Sequence, residues 1–341
     1  MLGVYVHDLD PVALPLFGNF ALRWYGLAYL LAFVVGFLLL RQLARKGLWV
    51  LQPEKTGDFI AAAALFGVFL GGRLGYILFY HIPAHGFREL SSDPMLVFRV
   101  WEGGMASHGG ILGLVIFTWF YSRKHKVSWT GLGDGLCVVA PLGLLFGRAA
   151  NFINGELYGR VAMGLSWAVK FPTALMDPKA LESGSFEAAA AAAVGEDPSL
   201  LDGYHAMNNA VGTAQEGPFR HAFFEQMLAS NRHSEKVGEA IAPYLQPRHP
   251  SQVYEGLLEG LLLFLILWFV RIKFPKAPHG LLTGLFFGLY AAFRIFAERF
   301  REPDAAWVID GVLTQGQFLS LFMFAFSAAF LVFAWRSKAR V

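Results

Sequence analysis

The chain has 341 residues, of which 55% are apolar and 16% charged, with 28 Lys and Arg against 25 Asp and Glu. A soluble globular domain carries about a quarter of its residues charged, so this composition describes a chain whose solvent is largely lipid. The slight excess of basic residues is too small to argue for a nucleic-acid partner, and what matters is where the charges sit. The single cysteine, Cys137, excludes an internal disulfide and reads as a small buried hydrophobe.

A spanning helix needs about 20 apolar residues, and seven such windows are predicted at 19–41, 57–80, 96–121, 132–152, 252–271, 280–297 and 313–335. Met1 to Asp10 has no basic flank, so the first window is expected to stay in the mature protein rather than to be cleaved as a signal peptide. Arg41, Arg45, Lys46 and Lys55 follow the first window, Arg123, Lys124 and Lys126 the third, Arg271, Lys273 and Lys276 the fifth, and Arg336, Lys338 and Arg340 the seventh. Basic connections face the cytoplasm, which puts the N-terminus outside and the C-terminus inside. The remaining connections carry mixed charge, as in His85, Arg88, Glu89 and Asp93, or Glu298, Arg299, Arg301, Glu302, Asp304 and Asp310.

The connection 154–250 is polar, holds an alanine run at Ala188–Ala193, and reads as an extracytoplasmic helical domain with 176–240 partly mobile. The expected fold is thus an all-α polytopic membrane protein: transmembrane helices one to four in 1–153, a head domain in 154–250, and helices five to seven in 251–341.

Ionisable residues inside the windows fall on one side. Arg23 and Tyr25 lie near the outer end of the first, Arg73 and Tyr76 toward that of the second, and His108 in the outer half of the third. Arg148 and Asn151 end the fourth, Glu255 begins the fifth, and Tyr290, Arg294 and Glu298 finish the sixth, while the inner halves read as nearly dry. Burying such a residue mid-helix costs about 2.5–3.5 kcal/mol, so the grouping points to a polar cavity in the outer leaflet. For Arg23 or Arg73 alone, snorkelling or structural pairing is an equal reading.

The densest motif runs from Gly147 through Arg148, Asn151, Asn154, Gly155 and Glu156 to Gly159 and Arg160. Arg148 and Asn151 share a helix face, and a guanidinium fork beside an amide suits a phosphoester, although a helix-end cap followed by a glycine turn explains the same residues. Trp101 to Gly110 is too glycine-rich for a lipid-facing helix, and its His108 fits a general base, a phosphate donor or an interior imidazole. Tyr290, Arg294 and Glu298 recur every four residues, so Arg294 either clamps phosphate with Glu298 orienting it or forms a structural pair with it. His249-Pro250-Ser251-Gln252, with Tyr254 and Glu255, is a helix cap with an interfacial anchor, or part of the same site. No ligand cluster has metal-binding spacing, so neither a metal nor a cofactor is expected.

Taken together, these motifs resemble the prolipoprotein diacylglyceryl transferases of bacteria. The likeness rests on Arg23-Trp24-Tyr25-Gly26, His108-Gly109-Gly110, the stretch Arg148 to Gly159, and His249-Pro250-Ser251-Gln252 with Tyr254-Glu255. It continues through Tyr290, Phe293-Arg294 and Glu298 to Arg301-Glu302-Pro303, and omits only about 172–245. The resemblance implies a plasma-membrane enzyme that moves the diacylglyceryl group of phosphatidylglycerol to the lipobox cysteine in a preprolipoprotein signal peptide, its partners being membrane lipid and that peptide. It implies that Arg148 and Arg294 stabilise the leaving phosphate, that His108 serves as base, and that Tyr25, Asn151, Glu156, Gly159, Tyr290 and Glu298 hold or position substrate. Ala149-Ala150 stands where the family commonly has a bulkier residue and glycine, and the outer segment is longer than usual. An anion transporter is the main competing class and would place polar residues on both sides of the midplane; a non-catalytic scaffold leaves the clustered Arg, His and Asn without a use.

Overall fold

A computed structural model describes residues 4–17, 20–99, 103–302, 308–309 and 313–337. Trp101, Glu102, Pro303, Asp304, Asp310, Lys338 and Arg340 lie outside the described residues. Helix dominates, because in hydrocarbon a helix satisfies its own backbone polar groups. In chain order the main helices are α1 (Trp24–Arg45), α2 (Pro53–His85), α3 (Ser107–His125), α4 (Trp129–Asn154), α5 (Ser185–Glu196), α6 (Leu201–Asn209), α7 (Glu216–His233) and α8 (Glu235–Ile241). They are followed by α9 (Ser251–Lys273), α10 (Leu281–Ala297) and α11 (Gln315–Arg336). Five of them, α1, α2, α4, α9 and α11, are long and apolar enough to cross a membrane, and the chain is a multi-pass membrane protein. Helices α3 and α10 overlap the other two predicted windows.

Two window boundaries differ from expectation. Phe20–Arg23, expected as the start of the first span, is a β-strand (β3) paired antiparallel with β2 (Val12–Phe17), so Arg23 ends a hairpin and lies outside the helix. In the third window, Pro94–Phe98 forms a single 3₁₀ turn and the helix begins only at Ser107, because Pro94 and the left-handed Gly103 (φ 88°) and Gly104 (φ 76°) break the helical path. His108 is therefore in the first turn of α3, not within the body of a span.

The described chain divides into two compact units. One comprises Met1–Tyr29, Leu145–Leu258 and Phe293–Leu319; the other comprises Leu30–Leu144, Glu259–Ala292 and Ser320–Val341.

In the first unit, three short strands, Tyr5–Val6 (β1), Val169–Lys170 (β4) and Pro247–Arg248 (β5), pair in the order β1-β4-β5. The fold is predominantly helical, as expected, with these short strands added to it. Helices α5 to α8 form a packed cluster where a partly mobile connection was expected. Phe186, Ala189, Ala190 and Ala193 repeat at helical spacing on α5, each fully buried, and meet Phe223 and Met227 of α7 and Val237 and Ile241 of α8. Alanine is the strongest helix former and its small side chain admits close neighbours, so the low-complexity run supplies a core.

In the second unit, α2 and α3 touch backbone to backbone. A Cβ on Gly71 would fall 2.7 Å from Gly109 O and 2.8 Å from Gly113 Cα, so the spacing Gly67-Gly71-Gly75 against Gly109-Gly113 is a small-residue contact between helices. Arg73 has a structural role: it donates to the carbonyls of Val97 at 3.1 Å, Gly103 at 2.7 Å and Gly104 at 3.1 Å, and to that of Leu96, and so fixes the broken segment before α3. The helix halves expected to be inner and nearly dry also hold buried charges. Asp134 on α4 is buried and accepts from Gly280 N at 2.7 Å, Thr283 N at 2.8 Å and Thr283 Oγ1 at 2.8 Å, capping α10. Arg271 is also buried and donates to the carbonyls of Phe274, at 3.3 Å, and Pro275. Both close helix ends, which accounts for them without a solute path.

Candidate active site

The end of α4 shows how local sequence builds the site. Gly155 takes φ 68°, Glu156 N donates to Asn151 O at 3.1 Å, and Gly155 N donates to Phe152 O at 2.9 Å. These two bonds satisfy orphan carbonyls at the helix end and fold the chain back over its last turn. Glu156 consequently returns to Asn151, whose Nδ2 donates to Glu156 Oε1 at 2.9 Å. Tyr25 OH also donates to Glu156 Oε1 and accepts from Asn151 Nδ2. Tyr25 stands at the second position of α1, where the β2–β3 hairpin delivers the chain, with Trp24 N bonded to Pro11 O at 3.1 Å.

Arg148 lies one turn before this group, its Nη1 3.4 Å from Asn151 Oδ1. Its Nη2 reaches Glu255 Oε2 at 2.7 Å, and Glu255 is the hub of the site: Arg294 Nη1 meets the same oxygen at 2.8 Å and Arg301 Nη1 meets Oε1 at 2.8 Å. Arg294 also pairs with Glu298 at 3.1 Å across one helical turn. Glu255 is completely enclosed and Arg301 is 3% exposed, whereas the Arg148 and Arg294 side chains keep 17% and 14% of their surface. Isolating a carboxylate from water costs several kcal/mol, and here charged donors on both oxygens offset that cost. Two of the three arginine side chains thus stay partly exposed.

Surrounding backbone sets these positions. Gln252 Nε2 donates to Glu156 O at 2.6 Å and Ser251 Oγ to Leu157 O at 3.1 Å, both from fully buried side chains. His249-Pro250-Ser251-Gln252 therefore straps the start of α9 to the signature turn, and Glu255 follows one turn later facing Arg148. Gly159 N donates to His249 O at 2.9 Å, and Gly159 bridges Arg301 in antiparallel fashion. A Cβ on Gly159 would stand 2.6 Å from His249 O and 2.7 Å from His249 Cβ, so no side chain fits. Arg160 Nε donates to Arg301 O at 2.9 Å and holds the other side of that strand-like contact. Burial pushes the His249 imidazole below the ordinary histidine pKa.

Seven of the predicted site residues, Tyr25, Arg148, Asn151, Glu156, Gly159, Arg294 and Glu298, belong to this one unit. His108 and Tyr290 belong to the other: His108 is exposed in the first turn of α3, and Tyr290 stacks on Phe286 at 5.9 Å, four residues before Arg294 along α10. Two central members, Glu255 and Arg301, had no assigned role. A carboxylate four residues into an apolar helix must find cations elsewhere in the chain, and that signal was available.

A sequence profile described as prolipoprotein diacylglyceryl transferase matches residues 11–333. The chain is 39% identical to the phosphatidylglycerol–prolipoprotein diacylglyceryl transferase of Bdellovibrio bacteriovorus, over 98% of this chain and 95% of that protein. It is 36% identical to the protein of the same name from Stenotrophomonas maltophilia, over 98% and 95% of the two chains, and 37% identical to that of Neisseria gonorrhoeae, over 92% of each. With its motifs in order and matched along nearly its whole length, this chain belongs to the prolipoprotein diacylglyceryl transferase family.

Proposed function

We propose that this protein transfers the diacylglyceryl group of phosphatidylglycerol to the lipobox cysteine of a preprolipoprotein, the first step of lipoprotein maturation. The observation that carries the reading is the Glu255 hub, which holds Arg148 and Arg294 on one carboxylate oxygen with part of each side chain exposed. In the reaction the bond between the glycerol carbon and a phosphate oxygen breaks as a carbon–sulfur bond forms. The electron pair leaves with glycerol phosphate and the thiol proton goes to a base. Charge grows on phosphate, and forked guanidinium donors already fixed by a carboxylate stabilise it without reorganising. Glu255 and Glu298 orient the arginines, while Tyr25, Asn151 and Glu156 hold polar parts of the lipid. Gly159 keeps the adjoining turn closed.

His108 is proposed as the base that makes the thiolate, and Tyr290 as a further contact for substrate. Purified protein given phosphatidylglycerol and a lipobox peptide is expected to yield a thioether-linked diacylglyceryl peptide by mass spectrometry. Folded protein that yields none would sink the reading.

The proposed topology has seven spans in the bacterial inner membrane, with the N-terminus and the 154–250 domain outside and the C-terminus in the cytoplasm. Basic residues after α1, α3, α9 and α11 support it. In a Cys137→Ser background, a membrane-impermeant thiol reagent on intact inner-membrane preparations facing outward should label Glu182→Cys and spare Ser337→Cys. The reverse pattern would invert the orientation.

A further inference from the structure

The turn that returns Glu156 to Asn151 has a neighbour with no part in the chemistry above. His7 directly follows β1 and is only 6% exposed. Its Nε2 lies 2.7 Å from Phe152 O, the carbonyl that also accepts Gly155 N–H at 2.9 Å. A carbonyl only accepts, so Nε2 carries the proton in this contact and the two donors use both lone pairs of one oxygen. The ring stands edge-on to Phe152 at 5.5 Å and lies 5.4 Å from Phe171, and a Cβ on Gly155 would be 3.2 Å from its Cε1 and Nδ1.

The backbone of His7 is held as firmly. Its N–H donates to Lys170 O at 2.8 Å and its C=O accepts from Asn231 Nδ2 at 3.1 Å. Strand β4 and helix α7 thereby fix the imidazole while the imidazole fixes the turn. Burial holds its pKa below the ordinary histidine value, with the Phe152 hydrogen bond and Asp8 acting in the opposite sense and Arg232 in the same one. At neutral pH the ring is a neutral single donor.

We infer that His7 is a positioning residue for Asn151 and Glu156: by holding Phe152 O it fixes the Gly155 turn on which their pairing depends. The inference rests on the lipid-binding roles proposed for that pair. It also explains why a histidine sits in an apolar environment between two phenylalanines, where a hydrophobe would pack without needing a partner.

His7→Phe keeps a ring of similar breadth and removes the donor, whereas His7→Gln restores an N–H at a comparable reach. In His7→Phe the KM for phosphatidylglycerol is expected to rise about tenfold, with kcat and the peptide KM within about threefold of the parent protein, and His7→Gln should recover most of the change. A merely structural role would lower the folded fraction, and so the maximal rate, without moving KM. Amide hydrogen exchange over 153–157 should be faster in His7→Phe than in either the parent or His7→Gln, a readout that needs no turnover. His7→Met serves the same comparison if the phenylalanine variant does not fold. Unchanged exchange in the donor-less variant, or an identical KM shift in it and in His7→Gln, overturns the positioning role. Faster exchange in His7→Phe together with a parent protein that makes no product would instead count against the transferase reading alone.

Discussion

Glu255→Gln is expected to reduce product formation by at least about a hundredfold, equivalent to about 2.7 kcal/mol of transition-state stabilisation. The amide has the same shape as the carboxylate but lacks its charge, so Arg148, Arg294 and Arg301, all within 2.8 Å of Glu255, lose their shared counter-ion. Removing one partner of a buried ion pair typically costs about 3–5 kcal/mol, because the remaining charges stay in low dielectric. Repulsion should then splay the arginines and move Arg148 and Arg294 away from their common orientation. Thermal melting of the detergent-solubilised variant should fall as well, while the apolar helices still insert. Glu255→Gln with near-parental turnover would show that the hub does not organise the site.

The second large effect concerns the two arginines whose side chains stay partly exposed. Arg148→Ala and Arg294→Ala should each abolish detectable thioether product, with membrane insertion unchanged. Deleting one preorganised donor to developing oxyanion charge commonly costs about 10²–10³ in rate, and these residues are proposed to share that task. Lysine at either position should rescue poorly, since a point ammonium cannot bind a neighbour through one arm and phosphate through the other. Arg294 already meets two carboxylates through its two arms, Nη1 at 2.8 Å from Glu255 and Nη2 at 3.1 Å from Glu298, a geometry that an ammonium does not reproduce. Mass spectrometry of the peptide product measures both variants. Normal turnover in both would remove the phosphate-clamp mechanism.

Features set by neighbours in the chain were legible without a structure. Arg148 and Asn151 at a spacing of three, and Arg294 and Glu298 at a spacing of four, meet as helical geometry requires. Asn154-Gly155 after an apolar window announces a left-handed helix end, and that end proves to be what brings Glu156 back to Asn151. The misreadings have equally physical causes. Phe20–Arg23 is apolar enough to extend a span, but its backbone pairs with β2 in a hairpin. Arg73 was placed by depth alone, and depth does not reveal that it donates to loop carbonyls.

Sequence by itself determined the membrane character, the positions of the apolar helices and the identity of the residues at the end of α4, because each depends on composition or on contacts within a few residues. Only the tertiary structure decided which distant groups complete the site. Glu255 meets Arg294 and Arg301 across 39 and 46 residues of chain, and His7 meets Phe152 across 145. Such pairs leave no periodicity to read. Their meeting is imposed by the strap from Ser251 and Gln252, the close passage at Gly159 and the strand pairing of β1 with β4, each of which exists only once the backbone has been folded.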